Sequence, residues 1–310
     1  MDGPSRSLDE LRDLAAYLTE ITISDFEVVV IDASQQPDLD DNRQVLRWVS
    51  RHLAARPQHF TAFGAMDPIR AALDVASCEK VIVADANVRY DRESLDQLAL
   101  LLELHEVVEP QDYFDPLPWW GGIEAGRILV HRSVASVPDH GVTFGFQKRA
   151  IRGLRSLDHA NDHCVRRLAS QGAEVFSAVR LFVRRVPPAL SQWLRSLPRQ
   201  AEQEFAIPAK AAMFFMLVPI VISLALVAGA PIAGWFLGII AFVTIGLAVR
   251  GRIGASRFFP LRACLFAPLW ILQRSLSVYW ALVWRFSGGE PRRVPVEVTS
   301  RSKTGRRAEA

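Results

Sequence analysis

Cysteine is scarce in this chain, whose 310 residues include only Cys78, Cys164 and Cys264. The three are far apart and form no Cys-x-x-Cys pair, so the sequence offers neither a disulfide framework nor a cysteine-based zinc site. This scarcity indicates a reducing compartment. The polar and acidic start, MDGPSRSLDELRDL, also lacks the apolar core of a cleavable signal peptide.

Signs of nucleic-acid binding are weak as well. The net charge is only +3, from 36 basic and 33 acidic residues. The basic stretches QKRAIRGLRS and RRVPP carry no interleaved aromatic residues and match no nucleic-acid-binding module. We interpret them as solvated faces and expect no nucleic-acid partner.

Charge itself is absent from Ala211 to Val249. Gly and Pro residues divide this run at AGAPIAG, 228–234, into halves of about 19 residues, each long enough to cross a hydrocarbon core of about 30 Å. Basic residues flank both outer ends of the run. The pattern predicts a two-helix transmembrane hairpin over 206–250 that enters and leaves on the cytoplasmic side.

The following segment, 251–286, is apolar but interrupted by charged and polar residues such as Arg262 and Arg274, and by two prolines. It also contains Trp and Tyr residues, which favour the headgroup level of a membrane. We interpret it as interfacial amphipathic helices rather than a third span. The basic and Gly/Pro/Ser-rich residues 287–310 indicate a disordered tail.

The first 205 residues alternate short β-branched runs with amphipathic stretches. This alternation predicts an α/β domain with a mostly parallel sheet. Ligands bind such sheets at the carboxyl ends of the strands, and two of the predicted strands end on Asp32 and Asp85. Aspartate is also a common turn and helix-capping residue, so from the residues alone both interpretations stay open.

Two other groups of residues each lack a residue that catalysis would require. His159 and His163 have the spacing of one helical face, but the Glu of the HExxH metalloprotease motif is absent and no third ligand is evident. The stretch RSVASVPDHGVTFG contains Ser, His and Asp without a nucleophile elbow. The sequence therefore indicates neither a zinc protease nor a serine hydrolase.

Six short stretches of sequence precede the predicted hairpin, and both their residues and their order along the chain are informative about the family. They are EVVVIDAS, VIVADANVRYDRESL, PQDYFDPLPWW, GVTFGFQKRAIRGL, LFVRRVPP and RQAEQEFAIP. Together they resemble the family 2 glycosyltransferases, and more narrowly a bacterial membrane-attached branch of that family. The resemblance covers nearly the whole chain and implies a GT-A fold, a Rossmann-like nucleotide-sugar domain, over residues 1–205.

The resemblance implies a donor site at the two strand ends. Asp32 matches the aspartate that contacts the nucleotide base. Asp85 and Asn87 match the outer members of an Asp-x-Asp motif that holds Mg²⁺ or Mn²⁺ against the sugar diphosphate. A hard dication with oxygen ligands suits this task because the leaving diphosphate develops negative charge. Asp85 is accordingly expected to contact both the donor and the metal.

Two further residues receive catalytic roles by the same resemblance. Asp162, in LDHANDHCVRRL, matches a carboxylate that deprotonates the acceptor hydroxyl as it attacks the anomeric carbon. Arg199 matches an arginine near the membrane that assists the diphosphate or the acceptor phosphate. The implied activity is an inverting, metal-dependent hexosyl transfer.

The sequence departs from the family at several of these positions. The family's first strand is missing, and Gly64-Ala65 stands where a Gly-Lys is common. Asn87 replaces a carboxylate, Ala160 replaces a Glu and Ser196 replaces a Gln. These departures favour an alternative function, a catalytically degenerate pseudo-glycosyltransferase that acts as a membrane scaffold or partner subunit.

The main expectation is a multi-pass protein of the inner, cytoplasmic membrane with its catalytic domain in the cytoplasm. It would take a sugar from a nucleotide-sugar donor. The acceptor would be a lipid or lipid-linked molecule, of the polyprenyl type, at the cytoplasmic face of the membrane. Interfacial helices would keep the site at the depth that such an acceptor can reach.

Overall fold

The computed structural model describes most of the chain. The residues described are 8–23, 26–32, 34, 38–47, 51–54, 66–134, 143–152, 165, 168–169, 172–204 and 208–286. The stretch with Asp162, His159 and His163 lies outside these ranges, as does the predicted tail 287–310.

Strands and helices alternate through the first two thirds of the chain. The strands are β1 Val29–Asp32, β2 Arg51–Ala54, β3 Lys80–Ala84, β4 Val88–Arg89, β5 Val107–Phe114, β6 Thr143–Gln147 and β7 Val175–Arg185. The helices are α1 Leu8–Ile23, α2 Asp38–Val45, α3 Met66–Val75, α4 Arg92–Leu104, α5 Gly121–Val134, α6 Lys148–Arg152 and α7 Leu190–Glu204. The expected α/β class is confirmed.

The strands form two sheets. A two-stranded parallel sheet pairs β1 with β2, and a five-stranded sheet has the order β3-β6-β5-β7-β4. In the larger sheet β6 runs antiparallel to β3 and β5, and β4 runs antiparallel to β7. The longest pairing, β5 with β7, is parallel. The described sheets are therefore mixed, with most paired residues in parallel pairings.

The two sheets begin close together. Glu27, just before β1, accepts hydrogen bonds from the backbone N–H and the hydroxyl of Ser77, just before β3, at 2.7 and 2.6 Å. Nevertheless β1 and β3 are edge strands that do not pair with each other. Among the described residues no strand joins these two edges, and the missing first strand stays a prediction.

Two apolar helices follow the α/β part, α8 Pro208–Val227 and α9 Ala230–Gly251. They separate at Ala228 and Gly229, inside the segment where the sequence indicates a break. Of the described helices, α9 alone is long and apolar enough to cross a membrane, while the apolar part of α8, Ala211–Val227, is shorter. A two-helix transmembrane hairpin is therefore not confirmed.

The remainder of the described chain is a 3-10 helix, Leu261–Phe266, and one long helix, α10 Ala267–Phe286. Proline agrees with these boundaries: Pro260 caps the 3-10 helix and Pro268 lies in the first turn of α10, where its missing N–H costs nothing. Buried Arg274 and Ser275 face the interior of the protein from α10.

Helix α5 joins the apolar helices to the α/β part by very close packing. A Cβ atom placed on Gly251 would lie 1.8 Å from the carbonyl oxygen of Leu129, and one placed on Gly126 would lie 2.7 Å from the backbone nitrogen of Ala267. Arg132 of α5 donates from Nε to the Gly251 carbonyl at 3.1 Å. The ends of α9 and α10 are thus fixed against the sheet domain.

Candidate functional site

A large cleft of about 2090 Å³ opens across the α/β part. One side is formed by α1, the end of β1 and the start of α2. The other side is formed by β7 and by residues 257–262, which follow the apolar helix α9. The turn between β3 and β4 lies between the two sides, so the cleft runs from the first sheet to the segment beside the apolar helices.

Asp32, at the end of β1, lines this cleft and is only 8% exposed. Its Oδ1 accepts from the backbone N–H of Ser34 at 2.8 Å, and its Oδ2 contacts Asn42 Nδ2 at 2.9 Å and His52 Nε2 at 3.1 Å. Burial alone would raise the pKa of Asp32, but the hydrogen bonds from Ser34, Asn42 and His52 outweigh it and hold the pKa below its ordinary value. Asp32 is therefore an organised carboxylate that also makes the turn expected of a strand-end aspartate.

The turn at 85–87 places its two candidate ligands differently. The half-buried Asn87 lines the cleft, whereas the Asp85 side chain is exposed and is not among the residues that line it. The turn is held by its backbone, since the Asp85 carbonyl accepts from Val88 N at 2.9 Å and the Asn87 carbonyl accepts from Val186 N at 2.8 Å. Asp32 and Asn87 thus share one cleft without Asp85.

The described residues do not fit the expected Mg²⁺ or Mn²⁺ ion well. Such ions are held by several oxygen ligands, of which carboxylates supply the neutralising charge. Among the described residues no group of three or more His, Cys, Asp or Glu side chains could hold a metal ion. Of the two expected ligands in the 85–87 turn, only Asn87 lines the cleft, and its amide is neutral. The metal site at Asp85 and Asn87 stays a prediction.

The two expected catalytic residues cannot be located in the cleft. Asp162 lies outside the described residues. Arg199 lies in α7, of which the structure describes the backbone at this position and not the side chain. Their roles also stay predictions.

Sequence reasoning missed a group of arginines that line the cleft. They are Arg89, Arg180, Arg184, Arg257 and Arg262. Phe182 and Arg184 are two residues apart in β7 and therefore lie on the same face of the strand. Arg180 lies where the register of β7 on β5 shifts, so simple alternation does not place it. The alternation is visible in the sequence, but which face of β7 borders a cleft is not.

Aromatic packing joins β7 to the segment after α9 beside these arginines. Phe258 stacks on Phe182 with ring centroids 4.1 Å apart and contacts the Tyr113 ring at 4.8 Å. Burial raises the pKa of the Tyr113 hydroxyl, Asp115 adds to the rise, and Arg184 and Arg257 oppose it. Charged groups from β7 and from the segment after α9 therefore act on the same hydroxyl.

No protein-family model and no curated protein matches this sequence. Among solved structures, the chain is similar to a mannosyltransferase from Pyrobaculum calidifontis in complex with GDP-Man and Mn²⁺. The TM-score is 0.50 and the identity 15%, over 87% of this chain and 84% of that chain. The likeness shows a glycosyltransferase fold. At this identity it carries the fold alone and leaves the reaction to be argued from the site.

Proposed function

We propose that this protein is a membrane-attached glycosyltransferase of family 2, of the bacterial branch that the sequence resembles. It transfers a sugar from a nucleotide-sugar donor to a lipid or lipid-linked acceptor at the cytoplasmic membrane face. The reaction is an inverting hexosyl transfer, in which the acceptor hydroxyl displaces the nucleoside diphosphate.

The main support for this proposal is the set of residues that line the cleft from one end to the other. The cleft contains Asp32, which the resemblance assigns to the donor, and Asn87, which the resemblance assigns to the metal that holds the diphosphate. It extends to Arg257 and Arg262 beside the apolar helices. A donor in the cleft would therefore lie within reach of an acceptor whose chain stays in a membrane. Asp162 would act as the base and Arg199 would hold phosphate.

Membrane attachment is supported by the apolar side chains that α8 and α9 expose. Leu226, Trp235 and Phe242 are 81%, 75% and 81% exposed. Exposed apolar patches of this extent mark a membrane or protein interface. Arg250 and Arg252 follow the apolar run at its end, as expected of the cytoplasmic side.

Calorimetric titration of the full chain in detergent tests donor binding. UDP-, GDP- and TDP-sugars are titrated in turn, in buffers with and without Mn²⁺. Saturable heat from one of them supports the transferase. Asp32→Asn should weaken that binding because an amide, unlike a carboxylate, cannot accept hydrogen bonds at both ends, so either the contact with Ser34 or those with Asn42 and His52 are lost. Asp96→Asn, a change at an exposed carboxylate of α4 outside the cleft, is the matched control.

The alternative is a catalytically degenerate scaffold or partner subunit. The exposed position of Asp85 favours it, because a residue that the family uses at the diphosphate is here not among the residues that line the cleft. The scaffold predicts no heat with any nucleotide-sugar in the panel. It also predicts that Asp32→Asn changes stability alone.

A further inference from the structure

The strand register brings two arginines side by side on the cleft floor. Arg89 of β4 is paired with Arg184 of β7, and Arg184 is in turn paired with Tyr113 of β5. Residues paired across strands present their side chains on the same face, with Cβ atoms about 5 Å apart. The three residues form a row, and all three line the cleft.

Two like charges at directly opposed positions destabilise a sheet unless something compensates them. Arg184 has a partial compensation, since its Nε lies 3.3 Å from Asp115 Oδ2, yet both side chains of this pair are about half exposed. Exposed ion pairs of this kind contribute little and exchange partners readily. An anion that contacts both guanidinium groups would add a compensating charge at this pair.

Arg89 is held at the turn where the resemblance expects the metal. Its Nη1 donates to the Ala86 carbonyl at 2.7 Å and to the Val88 carbonyl at 3.0 Å. Its guanidinium also lies 4.8 Å from the centre of the Tyr17 ring. A permanent positive charge is thus fixed next to the 85–87 turn by backbone and aromatic contacts. These geometric constraints reduce the entropy cost of binding a phosphate.

The remaining arginines extend the same charge towards the apolar helices. Arg180, Arg257 and Arg262 are exposed in the cleft and make no hydrogen bond or ion pair with another described residue. Carboxylates outnumber arginines around the cleft as a whole, but several near the turn are engaged. Asp91, for example, accepts from Ser94 as the cap of α4.

We propose that Arg89 and Arg184 together hold the diphosphate of the donor and supply the charge that a metal ion supplies elsewhere, so that the donor binds without a divalent metal. The proposal rests on the proposed function, because it presumes a nucleoside diphosphate in this cleft. It accounts for the neutral Asn87 and for an Asp85 that is exposed and outside the cleft lining. Both features would weaken a metal site, but neither opposes phosphate binding by two guanidinium groups.

The test measures the binding of UDP, GDP and their sugars to the full chain in detergent, by calorimetry, first in EDTA and then in Mn²⁺, each at about 5 mM. We expect the affinity to agree within about twofold between the two buffers. Because arginine–phosphate contacts are electrostatic, we also expect the affinity in EDTA to fall as salt is raised.

Three arginine variants then separate phosphate binding from a structural role. Arg89→Gln and Arg184→Gln should each weaken UDP or GDP binding about tenfold or more, as expected for lost charge-assisted hydrogen bonds. Uridine or guanosine, which carry no phosphate, should bind the variants as they bind the wild type. Arg92→Gln removes an exposed arginine three residues from Arg89 and outside the cleft lining, so it should change neither affinity.

Each outcome decides something. Diphosphate binding in EDTA that either cleft variant weakens selectively supports the proposal. Binding that appears only with Mn²⁺, or cleft variants that lose nucleoside and nucleotide binding equally, overturns it and leaves the proposed function standing. If no nucleotide or nucleotide-sugar gives heat of binding in either buffer, the proposed function and this inference are both overturned. Arg184→Gln keeps the test valid if Arg89→Gln fails to fold.

Discussion

The two sides of the cleft differ in charge and in how their residues are held. On the N-terminal side, Asp32 is a buried carboxylate hydrogen-bonded to Ser34, just after β1, and to side chains of α2 and β2. On the C-terminal side, exposed arginines project from β7 and from residues 257–262. A carboxylate that accepts hydrogen bonds suits N–H and O–H groups, such as those of a base or a ribose, whereas arginines suit phosphates. We therefore expect a nucleotide-sugar to lie along the cleft with its nucleoside at the Asp32 side and its phosphates at the arginine side.

The two sides also depend on different parts of the fold. The Asp32 contacts lie within 20 residues of chain. The arginine side depends on long-range packing, because Phe258 stacks on Phe182 and Arg132 joins α5 to the end of α9. Changes in the apolar helices should therefore disturb the arginine side first.

The largest effect is expected from Gly251→Ala. The added Cβ would meet the Leu129 carbonyl at 1.8 Å, so α9 must move away from α5. We expect a loss of about 3 kcal/mol in the free energy of unfolding, at the upper end for overpacking. Thermal unfolding in detergent measures it.

Gly246→Ala in the same helix is the control, because a Cβ there has no atom within 4 Å. It should leave stability unchanged or raise it slightly, since Ala is the better helix former. Equal destabilisation by both changes would mean that the close contact between α9 and α5 at Gly251 is not the cause of the loss.

The next largest effect is expected from Arg132→Met. The change keeps an apolar stem but removes the donors to the Gly251 carbonyl and, at 2.8 Å, to the Val179 carbonyl of β7. A loss of about 2 kcal/mol is expected. Hydrogen exchange should quicken in β7 near residue 179 and stay unchanged in β1. Faster exchange in β1 to the same degree would contradict the separate support of the two sides.

A smaller effect is expected from Asp32→Asn, and it depends on pH. The pKa of Asp32 is lowered by folding, so its carboxylate stabilises the folded protein above the unfolded pKa of about 4 and this stability is lost as the pH falls through the folded value. Urea unfolding from pH 7 down to pH 3 should therefore show a steeper loss in the wild type than in Asp32→Asn. Parallel curves would mean that the hydrogen bonds of Asp32 do not favour its charged form.

The smallest effect separates the two members of the 85–87 turn. Asn87→Ala should weaken donor binding several-fold, about what one neutral hydrogen bond contributes, because Asn87 lines the cleft. Asp85→Ala should leave binding within about twofold, because the Asp85 side chain is exposed outside the cleft lining. Competitive titration against the donor measures both. A larger loss of donor binding in Asp85→Ala than in Asn87→Ala would instead support a metal site at Asp85.

The local features of this protein could be predicted from its sequence. Alternating patterns predicted the α/β class, and the carboxylate after β1 was recognised as a candidate, because both signals lie within a few residues. The arginine row could not be predicted, since Arg89 and Arg184 are 95 positions apart and meet only through the register of β4 on β7. Likewise the mixed sheet depends on β6, whose direction no local pattern records.

The most direct test of the account is whether one ligand touches both sides of the cleft. Hydrogen exchange of the full chain is compared with and without the nucleotide-sugar that binds in the calorimetric panel. We predict slower exchange at 29–32 and 38–46 on the Asp32 side together with 180–185 and 257–262 on the arginine side. Protection confined to one side, or absent from both at saturating ligand, would contradict a donor lying along the cleft.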